Sequence, residues 1–433
     1  MEKILLKTDF KTLQSAIRAF AVPPDTIVMT QILQDHIIEI VPLKKGTDII
    51  EVESNGELFL QITNYKQLEN FFKKFGDRVK KIAIDYRPLI EDDQYKKNYE
   101  YIIQKCAKNL EELRIETKDD RGFWEVISNG EIDIIFPEVK KFRIVGKSLR
   151  NEFKLDLIFP KLESFELIGS VTDVNCLANV KTLKELMMNS VSLQEIRLED
   201  IFKNNENMTK IYLCKPNSTE TMHSIATYLR KLETLEVNFP KDDSSIDNFL
   251  LRANNNEVYE LPSVKHFKIE FYGMSNVLDV GDFSFKMPHL KHLTLKGINA
   301  DDRIINLIQH SEELEILELF ISYYNTVNCI EQLKNIREFT TTLNKERFAS
   351  LKNIFEKIDD EFKLQTIRFV GFDQSYKTYE KAMKKINNGL ERSNKSTWTL
   401  STEELIGTGK KYLMFRREPP CIPKSRRNKW LCY

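Results

Sequence analysis

Six histidines and six cysteines are the metal-ligating and nucleophilic stock of this 433-residue chain, and their spacing points away from catalysis. No HExxH pair places two imidazoles on one helix face for zinc. No GxxxxGK[ST] or GxGxxG loop offers backbone N–H groups to a phosphate. Cys106, Cys176, Cys214, Cys329, Cys421 and Cys432 are scattered, without the paired spacing of a metal site or a redox dithiol. A nucleophilic triad would need residues remote in sequence to meet in space. The expectation is therefore a protein that is not an enzyme, with no catalytic, cofactor-binding or metal-binding residue and no cofactor.

The side chains with most to offer a partner sit inside a recurring phrase: apolar, two mostly polar residues, apolar, one variable residue, apolar. It opens at Val79, Leu110, Val139, Leu162, Leu183, Met208, Leu232, Val264, Leu290, Leu314, Ile336 and Leu364. Successive openings lie about 21 to 32 residues apart, averaging roughly 26, a period typical of stacked strand-and-helix repeats. The last two apolar positions are separated by one residue, so both point to one face of a short strand. The first covers the turn leading into it. Amphipathic stretches between phrases, such as Glu195–Phe202 and Asp302–Ile308, read as helices. A further match at Leu193 follows Leu183 too closely for a whole repeat and reads as helix. One such repeat cannot bury both its faces, whereas stacked repeats can. A doubly wound sheet of unrelated βα elements would not carry one phrase about twelve times.

Across residues 65–372 these phrases resemble the leucine-rich repeats of ribonuclease-inhibitor-like and F-box/leucine-rich-repeat proteins. The segment Tyr65–Arg78, leading into Val79, is similar to the first helix and strand of many F-box/repeat chains. The resemblance implies an α/β fold: a leucine-rich-repeat solenoid, or horseshoe, of about 12 units with a concave parallel β-sheet and convex helices. It also implies a concave face that binds a protein partner without catalysis. Its F-box side implies an alternative, the substrate-recognition subunit of a cullin-type (SCF-like) E3 ubiquitin ligase, with ligase subunits as partners. The F-box itself is not seen, because Pro23-Pro24 breaks the only helical run of residues 1–64.

Side chains that alternate with the buried ones should line the concave face. Arg114 and Arg143 fall at equivalent places in adjacent repeats and should stand side by side. So should His266 and His292, next to Lys268 and Lys296, in a patch whose charge would rise below pH ~6.5. A metal reading of the two histidines lacks a third ligand and sits among lysines. The patch reads as an anionic docking spot or as ordinary solvated residues. Lys210, Tyr212 and Phe320 complete the candidate partner-binding set. The same face carries Lys81, Glu112, Lys141, Glu166, Glu185, Met187, Glu236, Glu318 and Arg368.

The flanks are atypical, as the ends of a repeat array must be. Residues 1–64 read as a β-rich cap, with a helical stretch near Asp9–Phe20 and strand-like runs at Thr26–Leu33 and His36–Val41. A hairpin follows, Ile49–Glu53 against Leu58–Ile62 across Asn55-Gly56. Residues 373–415 read as a second cap, with a helix near Tyr376–Leu390 and closing strands at Trp398–Leu400 and Tyr412–Phe415. Residues 416–433 form a basic tail, either a solvated end or a weak nuclear-import or anionic-surface patch. Pro240–Leu261 is expected to protrude as a loop.

Basic and acidic residues balance at 65 each, so no global field favours nucleic acid or an anionic membrane as partner. No uncharged apolar run approaches the ~18 residues of a membrane span. A charged N-terminus unlike a secretory signal, with scattered cysteines, leads to an expected cytoplasmic or nuclear monomer.

Overall fold

Each repeated phrase becomes one strand. The structure, a computed structural model, describes residues 33–40, 50–62, 65–85, 93–116, 134–146, 154–169, 174–189, 198–214, 219–239, 258–271, 284–297, 311–320, 335–342, 363–370, 380–381, 384–385, 387–388, 397–404 and 411–418. The chain divides into two units, Met1–Asn217 and Ser218–Tyr433.

The first unit holds β1 (Ile37–Ile40), β2 (Ile50–Ser54), β3 (Glu57–Ile62), β4 (Lys81–Asp85), β5 (Glu112–Glu116), β6 (Lys141–Val145), β7 (Ser164–Ile168), β8 (Glu185–Asn189) and β9 (Lys210–Cys214). Their order across the sheet is β2-β3-β1-β4-β5-β6-β7-β8-β9, parallel except for the hairpin of β2 with β3. That hairpin turns at Asn55 (φ 53°) and Gly56 (φ 77°), the two left-handed residues of the tight turn that Asn-Gly favours. Residues 33–35 form a helical turn where the sequence suggests the end of a strand. β8 pairs directly with β9; the extra phrase at Leu193 begins outside the described residues.

The second unit holds β10 (Thr234–Phe239), β11 (Val258–Glu260), β12 (His266–Phe271), β13 (Ser284–Lys286), β14 (His292–Lys296), β15 (Ile316–Phe320), β16 (Glu338–Thr342), β17 (Thr366–Val370), β18 (Thr397–Glu404) and β19 (Lys411–Glu418). The order is β10-β12-β14-β15-β16-β17-β19-β18, parallel as far as β17 and antiparallel beyond. β11 and β13 form a separate parallel pair. β19 runs on through Arg416, Arg417 and Glu418, so these residues belong to the sheet and not to a free tail. Asn387 caps the outer edge of β18: its amide accepts the Trp398 N–H at 3.1 Å and donates to the Trp398 carbonyl at 2.7 Å.

The core follows from the alternation. Ile82 and Ile84, Leu113 and Ile115, Phe142 and Ile144, and Leu317 and Leu319 are all buried, as are the opening residues Val79, Leu110, Val139, Leu162 and Leu290. The weakest phrase behaves alike, with Ile336, Phe339 and Thr341 buried. A tight turn precedes several of the openings, seen in the bonds from Val139 N to Phe136 O, Leu162 N to Phe159 O, Val264 N to Leu261 O and Leu290 N to Met287 O. In these four repeats a proline follows the turn's first residue, supplying the φ that position requires. Phe136 and Phe159 stack at 5.2 Å, and Phe159 and Phe142 at 4.7 Å.

Helices lie between the strands among the described residues. Among the described residues the first unit has α1 (Tyr65–Phe75), α2 (Asp93–Cys106), α3 (Leu155–Ile158) and α4 (Glu199–Asn204), and the second has α5 (Thr219–Tyr228); residues 380–381, 384–385 and 387–388 are helical too, within the helix expected near Tyr376–Leu390. α1 buries Leu68, Phe71, Phe72 and Phe75 on one helical face. Between β6 and β9 the described return segments hold α3, a 3₁₀ turn at Asn175–Leu177, and α4. The helix expected from Glu195 begins at Glu199 among the described residues. The stretches Asp9–Phe20, Asp302–Ile308, most of Pro240–Leu261 and residues 419–433 lie outside them.

Two polar details hold adjacent repeats together. After β7, Gly169 (φ 137°) approaches Gly146 so closely that a Cβ would lie 1.9 Å from the Gly146 carbonyl oxygen. Asn205, 2% exposed, accepts from Leu183 N (2.9 Å) and donates to the carbonyls of Val180 (2.7 Å) and Ile201 (2.8 Å). Replacing it strands three buried backbone groups. Asn205→Ala is expected to lower the unfolding free energy by about 2–4 kcal/mol in urea titration. Asn204→Ala, which loses one exposed bond to Ala178, should cost under about 1 kcal/mol.

Candidate functional site

Strict register turns phrase positions into rows on the open face of each sheet, the face opposite the core. In the first unit one row reads Lys81, Glu112, Lys141, Ser164, Glu185 and Lys210, and the next Ala83, Arg114, Arg143, Glu166, Met187 and Tyr212. Arg114 and Arg143 are thus neighbours, as their spacing suggests, yet their surroundings differ. Arg114 donates to both carboxylate oxygens of Glu57 (2.6 and 2.7 Å) and, through Nε, to Glu112 (2.6 Å), over the Phe59 ring. The Arg114 hydrogen bond holds the Glu57 carboxyl below its ordinary pKa, against partial burial. Arg143 makes a looser contact of 3.6 Å with Glu166. Ser164 donates to Glu185 at 2.9 Å. Lys210 and Tyr212 line, with Lys141 and Met187, a shallow depression of about 200 Å³ that Glu57 helps to wall.

In the second unit the rows read Thr234, His266, His292, Ile316, Glu338 and Thr366, then Glu236, Lys268, Thr294, Glu318, Thr340 and Arg368. His266 and His292 stand side by side, ring centroids 5.7 Å apart. Lys268 lies opposite Thr294, and Lys296 lies between Glu270 and Phe320. The basic patch expected here is interleaved with carboxylates. Lys268 meets Glu236 (3.6 Å) and Glu270 (3.4 Å), Lys296 meets Glu270 (3.8 Å), and His292 meets Glu318 (3.4 Å). Arg368 is paired with Glu338. Burial alone would raise the Glu318 pKa, but hydrogen bonds from His292 and Thr294 bring it below its ordinary value.

The sequence reading omits Glu57, Ser164 and Glu270. Ser164 shares the phrase position of Lys141 and Glu185, so the repeat itself marks it. Glu270 follows Lys268 by two on the same strand face. Nothing local marks Glu57, whose turn reaches Arg114 only in the folded hairpin. Among the described residues no group of three or more His, Cys, Asp or Glu side chains is placed to hold a metal ion, and no helix is long and apolar enough to cross a membrane. Cys106, Cys176 and Cys214 are buried free thiols, and burial pushes the Cys106 pKa up to about 12, which keeps it protonated and unreactive.

One phrase per strand, stacked parallel and in register along both units, decides the architecture. The fold is that of leucine-rich repeats. No protein-family model and no curated protein matches its sequence. Solved structures similar to this chain include an internalin of Listeria monocytogenes, 15% identical over 61% of this chain and 75% of that one, with a TM-score of 0.35. Another is the Arabidopsis receptor kinase HAESA, solved in complex with the peptide hormone IDA and the co-receptor SERK1. It is 13% identical over 63% of this chain, with a TM-score of 0.29, and the match spans 51% of the receptor's chain.

His266 keeps contact with solvent, yet partial desolvation, then the neighbouring His292 and Lys265, lower its pKa; Glu233 and Glu236 oppose them. A histidine whose pKa falls on folding binds protons more readily in the unfolded chain. Its effect is absent above the unfolded value near 6.5 and destabilises as pH falls through it toward the lower folded value. Thermal melts of the His266→Gln variant across pH 7.5 to 5 are expected to show a shallower acid-side loss of Tm than the parent. An unchanged slope would count against this assignment.

Proposed function

We propose that this protein is a non-catalytic interaction scaffold that docks a protein partner on the open face of its repeat sheet. The observation that carries the reading is the make-up of the register-aligned rows. Both signs of charge stand beside Met187 and Tyr212 in one unit and beside Phe320 in the other. Mixed charge with half-buried aromatic and methionine side chains suits a protein surface, whereas a nucleic-acid backbone calls for rows of a single sign. Residues far apart in sequence stay far apart along a stacked array, which works against a converging catalytic triad. Buried free thiols suit a reducing cytosolic or nuclear setting, and we take the scaffold to act there as a monomer.

The test is affinity capture from cell extract with the full chain beside two face variants, Arg143→Ala/Lys210→Ala/Tyr212→Ala and His266→Ala/Lys268→Ala/His292→Ala/Lys296→Ala/Phe320→Ala. Circular dichroism confirms that both are folded. At least one captured protein is expected to be lost with one variant and kept with the other. Retention of every captured protein by both variants would sink the open-face reading. Cullin-ligase subunits, recovered whichever face is altered, would favour the substrate-receptor alternative.

A further inference from the structure

Charge compensation on the open face of the first unit is one-sided. Along the row Lys81, Glu112, Lys141, Ser164, Glu185 and Lys210, both carboxylates are already held. Glu112 accepts from Arg114 at 2.6 Å and Glu185 from Ser164 at 2.9 Å. The ammonium groups of the three lysines make no hydrogen bond or ion pair with any described residue, although Lys81 is near enough to Glu57 to help lower its pKa. Lys141 is exposed, and Lys81 and Lys210 are half-exposed. The corresponding rows of the second unit differ, since Lys268, His292 and Arg368 all have carboxylate partners there.

We propose that this lysine row binds an extended acidic peptide segment of a protein partner, laid across β4 to β9 at right angles to the strands. The proposal rests on the scaffold reading and specifies the chemistry of its ligand. Neighbouring strands lie about 4.8 Å apart, so Lys81 and Lys141 are about 10 Å apart along the row, and Lys141 and Lys210 about 14 Å. An extended chain advances about 3.3 Å per residue. Carboxylates spaced about three and then four residues apart therefore meet the three ammonium groups in turn. The residues between them lie over Glu112, Ser164 and Glu185, so they must be uncharged or basic. Beside the last lysine, Met187 and Tyr212 offer apolar surface to a neighbouring side chain of the segment. A nucleic acid fits less well: its closely and evenly spaced phosphates cannot skip the carboxylates of Glu112, Glu166 and Glu185, whereas a peptide can place neutral residues opposite them.

The experiment uses the full chain and a fluorescein-labelled synthetic peptide with glutamate at its first, fourth and eighth positions in a serine-alanine background. A glutamine-substituted copy and a labelled single-stranded oligonucleotide serve as controls, all read by anisotropy in low-salt buffer. The glutamate peptide is expected to bind and the glutamine copy to bind at least tenfold more weakly. Each of Lys81→Gln, Lys141→Gln and Lys210→Gln should weaken binding about two- to fivefold, the range of an exposed ion pair, and the triple variant on the order of tenfold or more. Lys265→Gln, on the second unit, should leave it unchanged. Equal binding of the glutamate and glutamine peptides, or full binding by a folded triple variant, would overturn the proposal. So would an oligonucleotide that binds more tightly than the peptide through the same three lysines. If the lysine variants lose nothing while captured proteins still depend on Arg143, Lys210 and Tyr212 taken together, only the acidic-peptide assignment falls. If captured proteins depend on neither face, the scaffold reading falls with it.

Discussion

The carbonyl of Lys80 accepts N–H groups from both Glu111 (2.7 Å) and Glu112 (3.0 Å) of the next repeat, and the bond recurs at equivalent positions. Glu111, Lys140, Glu163 and Lys184 each take two donors from their successors in the first unit, and Glu233, Lys265, Lys291, Glu315 and Arg337 do so in the second. One acceptor per repeat thus sets where the following strand begins. A slip of one residue would carry each buried pair, such as Leu113 and Ile115, onto the open face and bring Arg114 inside. The two-donor bond and the apolar alternation therefore enforce the same register. Every row on the open face is a consequence of it.

Given that register, the open face is an electrostatic pattern on a rigid grid. Exposed ion pairs contribute little to stability, about 0–1 kcal/mol each, so the fold leaves considerable freedom in how these rows are charged. Arg114 departs from this rule. Its bidentate contact with Glu57 and its third bond to Glu112 tie the turn of the β2–β3 hairpin to β5, two strands beyond its nearest sheet neighbour. This arginine is spent on architecture. Arg143, one strand further along, keeps a long contact and stays available. Two arginines identical by phrase position thus have different roles, decided by whether a carboxylate from another part of the chain reaches them.

That distinction marks how far the sequence could be read. The strands were legible because burial of a half-covered strand demands a period of two, and even the Thr-rich copy closing at Thr341 obeys it. Side-by-side placement of Arg114 with Arg143, and of His266 with His292, was legible for the same reason. Pairing of charges was not. Whether Lys268 faces Lys296 or Thr294 depends on a two-residue offset within the strand, and whether Arg114 is free depends on a hairpin turn 57 residues earlier. The Phe-Pro and Leu-Pro turns are a local signal that the apolar phrase, taken alone, leaves out. Of the return paths, the amphipathic stretch from Glu195 carries α4 at Glu199–Asn204, a helix that the spacing of its apolar residues marks.

The ends of the sheet bear on recognition as much as its face does. A strand edge with free N–H and C=O groups invites a partner to add a strand of its own, through backbone bonds that carry little side-chain information. On β18 the amide of Asn387 occupies both outward backbone groups of Trp398, which removes that option where the edge begins. Its ring is buried, so the position is anchored on its inner side as well. With the backbone satisfied there, selectivity passes to side chains that project from the grid. On that grid the first unit holds lysines without carboxylate partners and the second holds its charges in pairs. A partner that brings carboxylates gains new ion pairs on the first unit, but on the second it must break existing ones, and this asymmetry favours the first unit for an acidic ligand.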